Sequence, residues 1–186
     1  VLPWARALEL VRLGRADGIF TAYRTTERER FLLYTDTPLI DQVMSLHARA
    51  GDRPAYDGRV ETLGGQHIGI SRKVSYGPTF GAALADGLFR LVTTVNSDLQ
   101  LLRLLIAGRV DLVPMNRLGA RHVAQQAGLG ARLLELSPAV ETVPSYIAFS
   151  RNHDLQELAR RFDAALREML ADGRHAEIIE SWFGAQ

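Results

Sequence analysis

Cysteine is absent from the 186 residues, so disulfides, thiolate metal sites and a cysteine nucleophile are excluded together. Charge of a dominant sign is missing too. Lys and Arg number 22 against 21 Asp and Glu, a formal net charge of +1, which leaves no broad electrostatic attraction toward nucleic acid or an anionic membrane. No stretch approaches the roughly 18 to 20 uninterrupted apolar residues of a membrane span. The opening VLPWARALELV lacks a charged n-region, and Arg6, Glu9 and Arg12 interrupt any apolar run, so it does not read as a secretory signal. The five histidines, at 47, 67, 122, 153 and 175, show no HxxxH pairing. Neither GxSxG, a Walker loop nor GxGxxG occurs, and Gly128-Leu129-Gly130 alone is a weak fragment. No metal, no cofactor and no catalytic residue is therefore expected.

What is present is the make-up of an ordinary globular chain, 47% hydrophobic and 23% charged, long enough for one large or two small lobes. Within it a phrase repeats: Gly14-Arg15-Ala16-Asp17 and, 94 positions on, Gly108-Arg109-Val110-Asp111. Each follows a leucine-rich helical pattern and precedes an apolar run. Before the first, Pro3 suits the opening helical position, Trp4, Ala7, Leu8 and Val11 recur at spacings of three and four, and Gly14 suits the position just past the end. Gly18 to Ala22 then reads as a buried strand. Before the second, Ser97 or Asp98 can cap a helix, with Gln100 in capping-box position to Ser97. Leu99, Leu102, Leu105 and Ile106 form its inner stripe, and Gly108 ends it. Val110, Leu112 and Val113 make the strand that follows. A helix feeding a short buried strand is half of a βαβ crossover, so parallel sheet is expected in both regions.

Further strands are expected at Phe31 to Tyr34, Ile68 to Ile70, Leu91 to Val95 and Tyr146 to Phe149, with turns at Gly51 to Pro54, Asp57-Gly58 and Gly64-Gly65. From Asp154 the pattern turns helical. Asp154 and Glu157 stand in capping-box spacing, and Leu155, Leu158, Phe162, Ala165, Leu166 and Met169 share one face. A last helix, His175 to Phe183, carries Ile178, Ile179 and Trp182. This order of elements predicts an α/β fold.

The stretches GRADGIFTAYRTTERERFLLYTDTPL, LGGQHIGISRKVSYG, SDLQLLRLLIAGRVDLV and ALREMLADGRHAEIIESWF, in this order and spacing, resemble the family 3 extracellular solute-binding proteins of bacterial ABC transporters. Members of that family mostly bind polar amino acids. The resemblance covers nearly the whole chain. It implies a two-lobed α/β fold of the type II periplasmic-binding-protein kind, with the ligand in a cleft between lobes that close about a hinge. Lobe I would comprise residues 1–47 and 148–186 and lobe II residues 48–147, with the hinge near His47 to Arg49 and Val143 to Tyr146. Family members also carry a signal or anchor and a first strand and helix of lobe I. The chain therefore resembles a member truncated at its N-terminus, with lobe I incomplete. The implied setting is periplasmic or extracellular. The implied partners are a small carboxylate or amino acid and the membrane subunits of an ABC transporter.

The resemblance also implies site residues. In YRTTERERF, Arg28 falls at the arginine of the family's Thr-x-x-Arg turn, which grips the ligand's carboxylate; a guanidinium is permanently charged and its planar fork matches both carboxylate oxygens. The alternative is a solvated turn in which Thr26 and Glu29 form a capping box and Arg30 lies at the surface. In RKVSYGPTF, Gly77-Pro78 suits a helix start, and Ser75 with the neighbouring amides resembles the second jaw on the same carboxylate. Ser75 reads equally well as an N-cap. Tyr76 either lines the cleft or covers the helix, and Thr21 and Tyr23 are further cleft candidates, Tyr23 standing where a smaller residue is common. Five positions beyond Asp111, where amino-acid binders of the family usually place an acid for the ligand's ammonium, this chain has Asn116. An amide brings no charge to that contact, so a carboxylate without a cationic amine becomes an option. Asn116 can also cap the helix expected from Arg117 to Gln126. Two other functions fit the same pattern: a ligand-sensing domain of a membrane signalling protein, and a dehydratase-like enzyme acting on a cyclic carboxylic acid.

Overall fold

The computed structural model describes residues 2–183. Its helices and strands are α1 (Trp4–Arg12), β1 (Gly18–Tyr23), α2 (Thr26–Glu29), β2 (Leu32–Tyr34), β3 (Ile40–Arg49), β4 (His67–Ser71), α3 (Pro78–Ala85), β5 (Leu91–Val95), α4 (Asp98–Ile106), β6 (Val113–Asn116), α5 (Arg117–Gln126), β7 (Leu133–Glu135), β8 (Glu141–Ser150), α6 (Gln156–Ala171) and α7 (Arg174–Phe183). They divide into two compact units. Unit 1 is Val1–Ala5 with Gln42–Val143, and unit 2 is Arg6–Asp41 with Pro144–Gln186. The chain passes from one to the other within α1, β3 and β8. No helix among the described residues is long and apolar enough to cross a membrane.

The repeated phrase has a single structural cause. Gly14 and Gly108 take left-handed backbone angles, φ 67° and 72°, which a residue without Cβ adopts at no steric penalty. Around each, two backbone bonds close the helix in the same way. Gly14 N donates to Val11 O and Arg15 N to Leu10 O, while Gly108 N donates to Leu105 O and Arg109 N to Leu104 O. This paired pattern is a Schellman ending, which satisfies carbonyls the helix would otherwise leave open. The two aspartates differ. The Asp111 carboxylate accepts from His67 N at 2.8 Å, whereas Asp17 contributes its backbone carbonyl to Ser150 N.

In unit 2, β8 pairs antiparallel with β1 (Ile19 opposite Ala148) and with β2 (Leu33 opposite Phe149). The parallel sheet expected after the first phrase is thus replaced by antiparallel pairing. A helix-to-strand step sets the direction of its own strand but not of the neighbour, and here the neighbour arrives from more than a hundred residues away. Ile147, Phe149 and Ala159 form a core with Leu33, Leu39, Leu155 and Leu158 against it. On α6 the buried residues are Ala159, Asp163 and Leu166, while Phe162 and Ala165 are exposed. The inward face is therefore rotated from the one expected, because Asp163 turns in to accept from Thr37 N at 2.7 Å and pairs with Arg167 at 2.8 Å. The α6 N-cap is Leu155 without a side-chain cap, so Asp154 does not serve as one. Ring N–H of His175 holds α7 to Leu39 O. Ile178 is exposed, and the Trp182 side chain lies outside the described residues.

In unit 1, β4 and β5 pair parallel (Ile68 opposite Val92), and Leu112 forms a parallel bridge to Ile68, so the second phrase does lead into parallel sheet. β3 pairs antiparallel with β6 and β7. The core gathers Val95, Leu101, Leu102, Leu105, Val110, Val113, Met115, Ala120 and Ala124. Leu101 joins Leu102 and Leu105 on the inner face of α4, while Leu99 and Ile106 are only half-buried. Ser97 caps that helix by accepting from Gln100 N at 3.3 Å, as its spacing predicts.

Candidate functional site

Thr21, Tyr23 and Arg28 belong to unit 2, and Ser75, Tyr76 and Asn116 to unit 1. In unit 2, β1 is interrupted by a bulge between Ile19 and Ala22. Thr21 sits in that bulge at φ 56°, an unfavourable conformation for a β-branched residue. The turn that follows is capped by Thr25, which has an extended backbone and whose hydroxyl accepts from Arg28 N at 3.3 Å. Thr25, and not Thr26, is therefore the cap, because Thr26 already has helical geometry.

That cap sets the start of the turn so that Arg28 points inward. The Arg28 residue is only 6% exposed, and its Nη1 donates to Tyr23 O at 3.2 Å. Tyr34 donates its hydroxyl to the same oxygen at 3.0 Å. Burial lowers the Arg28 pKa, opposed by the charge interactions with Tyr34, Glu27 and Tyr23. Burial likewise pushes the Tyr34 phenol up to about 12, against the pull of Arg28 and Arg24. Tyr23 is buried, and Arg30 lies at the surface.

Arg24 escaped the sequence reading. Its guanidinium lies 5.1 Å from the Tyr34 ring centre and 4.9 Å from that of Tyr146, and it donates to Thr35 O at 3.1 Å. Two arginines thus flank Tyr34, buried Arg28 and Arg24 over the ring face, the latter also 3.8 Å from the Glu29 carboxylate. Nothing local signals this, since Tyr34 and Tyr146 join Arg24 through the pairing of β1 and β2 with β8.

In unit 1, Tyr76 is buried, its hydroxyl accepting from Ser71 N at 2.6 Å, and its ring packs on Phe80. Burial raises its pKa strongly. Tyr76 thereby ties down the turn that carries half-buried Ser75 and exposed Lys73, the latter at φ 58°. The N-cap of α3 is Gly77, not Ser75. The helix-end amides expected to face an anion already do so: Glu141 Oε1 accepts from Thr79 N at 2.9 Å and from Phe80 N at 3.3 Å, and Oε2 from Thr79 Oγ1. Glycine is required at 77 twice over, by φ 87° and because a Cβ there would stand 2.5 Å from Glu141 Oε1. Asn116 ends β6 and caps α5, its Oδ1 accepting from Gly119 N at 2.9 Å.

A further polar group lies in unit 1. His47 is buried on β3 opposite Glu135, which accepts from Ser45 Oγ at 2.8 Å and from Arg117 Nε. Among the described residues no group of three or more His, Asp or Glu could hold a metal ion.

A family model for bacterial extracellular solute-binding proteins, family 3, matches residues 1–185. The chain belongs to that family. It is 27% identical over 180 residues to the putative amino-acid ABC transporter-binding protein PatH of Vibrio harveyi, covering 95% of this chain and 68% of that one. Among solved structures, a histidine kinase sensor domain with similarity to periplasmic binding proteins superposes with a TM-score of 0.82 at 21% identity, over 98% of this chain and 76% of the other. The amino acid ABC transporter substrate-binding protein AbpA of Streptococcus pneumoniae, solved with L-arginine, gives 0.79 at 20% identity, over 99% and 75%. The fold is that of a type II periplasmic binding protein.

Proposed function

We propose that this chain binds a small carboxylate-bearing solute, an amino acid or related organic acid, and hands it to the membrane subunits of an ABC transporter, without catalysing a reaction. Its place of work is the periplasm or the extracellular space. Family membership supports this reading, as do the descriptions of PatH as a transporter-binding protein and of AbpA as an arginine-bound one. The observation that carries it is buried Arg28, presented by a Thr25-capped turn. A carboxylate meeting a guanidinium whose charge burial disfavours gains more than at an exposed arginine, because water screens the pair less. We place Arg28 against the ligand carboxylate with Thr21 and Tyr23 beside it. Ser75 and Asn116 are the further candidates within unit 1, where Tyr76 holds the turn that bears Ser75. A kinase sensor domain shares this fold, so fold alone does not separate delivery from sensing; the transporter reading is preferred because the similarity to PatH extends to the sequence.

The test is a thermal-shift panel of amino acids and amine-free carboxylates on the wild type and Arg28→Ala. A solute at about 100 times its Kd stabilises by about 2.7 kcal/mol. Truncating one partner of a buried charge pair costs about 2 to 5 kcal/mol, enough to erase that shift. A shift that survives Arg28→Ala removes Arg28 from the site, and silence across the whole panel removes the function.

A further inference from the structure

We propose that a second copy of this chain covers the outer face of α6, the two helices packing antiparallel across a two-fold axis. The face lies wholly in unit 2, and none of its residues belongs to the candidate site, so the proposal is independent of solute binding. The α6 sequence carries more apolar surface than unit 2 uses. Ala159, Asp163 and Leu166 are buried. The Asp163 carboxylate fixes that rotation by accepting from Thr37 N at 2.7 Å and pairing with Arg167 at 2.8 Å. Leu158, Phe162, Ala165 and Met169 form a second row beside the buried one. Leu158 and Met169 are half-buried and Ala165 is exposed, while Phe162 keeps 38% of its surface open although its ring meets Phe149 edge-on. Rolling α6 to bury this row would take Asp163 from its partners, an unfavourable exchange. Single apolar residues on a surface are ordinary, but an aligned row is a contact surface. Its spacings of four, three and four are those of a coiled-coil seam.

The charges beside the row identify its occupant. Arg161 and Glu168 flank it on the side away from the unit 2 core, and both are exposed. Among the described residues neither makes an ion pair, whereas Arg160 and Arg167 of the same helix pair with Glu157 and Asp163. Seven residues of helix span about 10 Å, too far for Arg161 and Glu168 to pair with each other. Reversed against a second α6, each comes beside the other's counterpart. In the same register Phe162 faces the small Ala165 of the second copy and Leu158 faces its Met169. A parallel pair would instead set Arg161 and Glu168 against the buried flank of the other helix, where Ala159 and Leu166 offer no charge. The row is therefore complementary to itself in the antiparallel sense, as an isologous two-fold contact requires. One helix face per copy is a small interface, so the association is weak and concentration-dependent.

The experiment is sedimentation equilibrium on the full chain, from micromolar to millimolar concentration. The wild type is compared with Ala165→Glu, Arg161→Glu, Glu168→Arg and the double variant Arg161→Glu/Glu168→Arg, with circular dichroism checking that each is folded. The wild-type mass should rise from one chain toward two, and Ala165→Glu should hold it at one. Each single charge reversal should weaken the dimer by about fivefold, because the two-fold axis makes the exposed pair twice. The double variant restores opposite charges and should associate as the wild type does. A mass of one chain at every concentration overturns the proposal. So does association that survives Ala165→Glu, which places the contact on another surface, or a double variant that associates no better than the single ones.

Discussion

Lowering the pH from 7 to 4 should weaken unit 1 through one side chain. His47 is 1% exposed on β3, its Nδ1 has no hydrogen-bond partner among the described residues, and burial holds its pKa down to about 4. The charged groups around it do not reverse that. Glu135 favours the imidazolium, Arg117 and Arg121 oppose it, and burial outweighs them. The unfolded chain takes up this proton near 6.5, so between about pH 6.5 and 4 the unfolded state binds more protons than the folded one. His47 therefore costs no stability above about pH 6.5 and destabilises progressively down to about pH 4, by about 3 kcal/mol in all. Glu135 acts lower in pH. Burial pushes its pKa up, but bonds from Arg117 and Ser45 outweigh this and the net pKa is lowered, so its stabilising pairs begin to be lost only near its unfolded value of 4.5, at the lower end of the His47 window. The assay is urea unfolding at several pH values for the wild type and His47→Asn. The variant should start less stable at pH 7.5 and then stay nearly flat down to pH 5. Parallel curves for the two proteins, or a His47 imidazole titrating near 6.5 by NMR in the folded state, would refute the argument.

Other substitutions probe the elements that carry the candidate site. Gly77→Ala should cost about 2 to 4 kcal/mol, combining a strained positive φ with displacement of the Glu141 cap; an unchanged urea midpoint would contradict this. Thr21→Gly should relieve the left-handed strain in β1, worth about 1 kcal/mol, and raise Tm by roughly 2 to 4 °C. A fall in Tm by calorimetry would mean that the Thr21 side chain contributes more than its backbone conformation costs.

The features legible in the sequence are those written within a few residues of one another. Gly14 and Gly108 marked both helix ends because a Schellman turn is local and needs a residue that tolerates positive φ. The Ser97 cap and the inward Leu102 and Leu105 could be read for the same reason. β3 was not foreseen as a strand, and β1 and β2 were not foreseen as antiparallel to β8, because strand pairing is a relation between distant segments. The α6 face was misplaced because its buried Asp163 is stabilised by Thr37, 126 residues away, and no pattern of apolar residues announces an acid turned inward.

The candidate site divides in the same way. Arg28 is proposed through the resemblance of its turn to the family's, since the residues alone also read as a solvated turn, and Arg24 is not named at all because its two tyrosine neighbours are assembled by β8. The anion at the α3 N-terminus was foreseen in kind but not in source: the carboxylate belongs to Glu141, 62 residues downstream of Thr79. Asn116 is the instructive case, because its identity and its capping role were both readable, while the direction of its amide was not. In isolation an asparagine offers donor and acceptor equally, and either end could meet a solute. The Gly119 amide occupies one lone pair of Oδ1 and so fixes which end of the amide is the oxygen. A single cap between residues three apart thus fixes the orientation of a side chain whose identity alone leaves it open, because the backbone N–H of Gly119 can be met only by the amide oxygen.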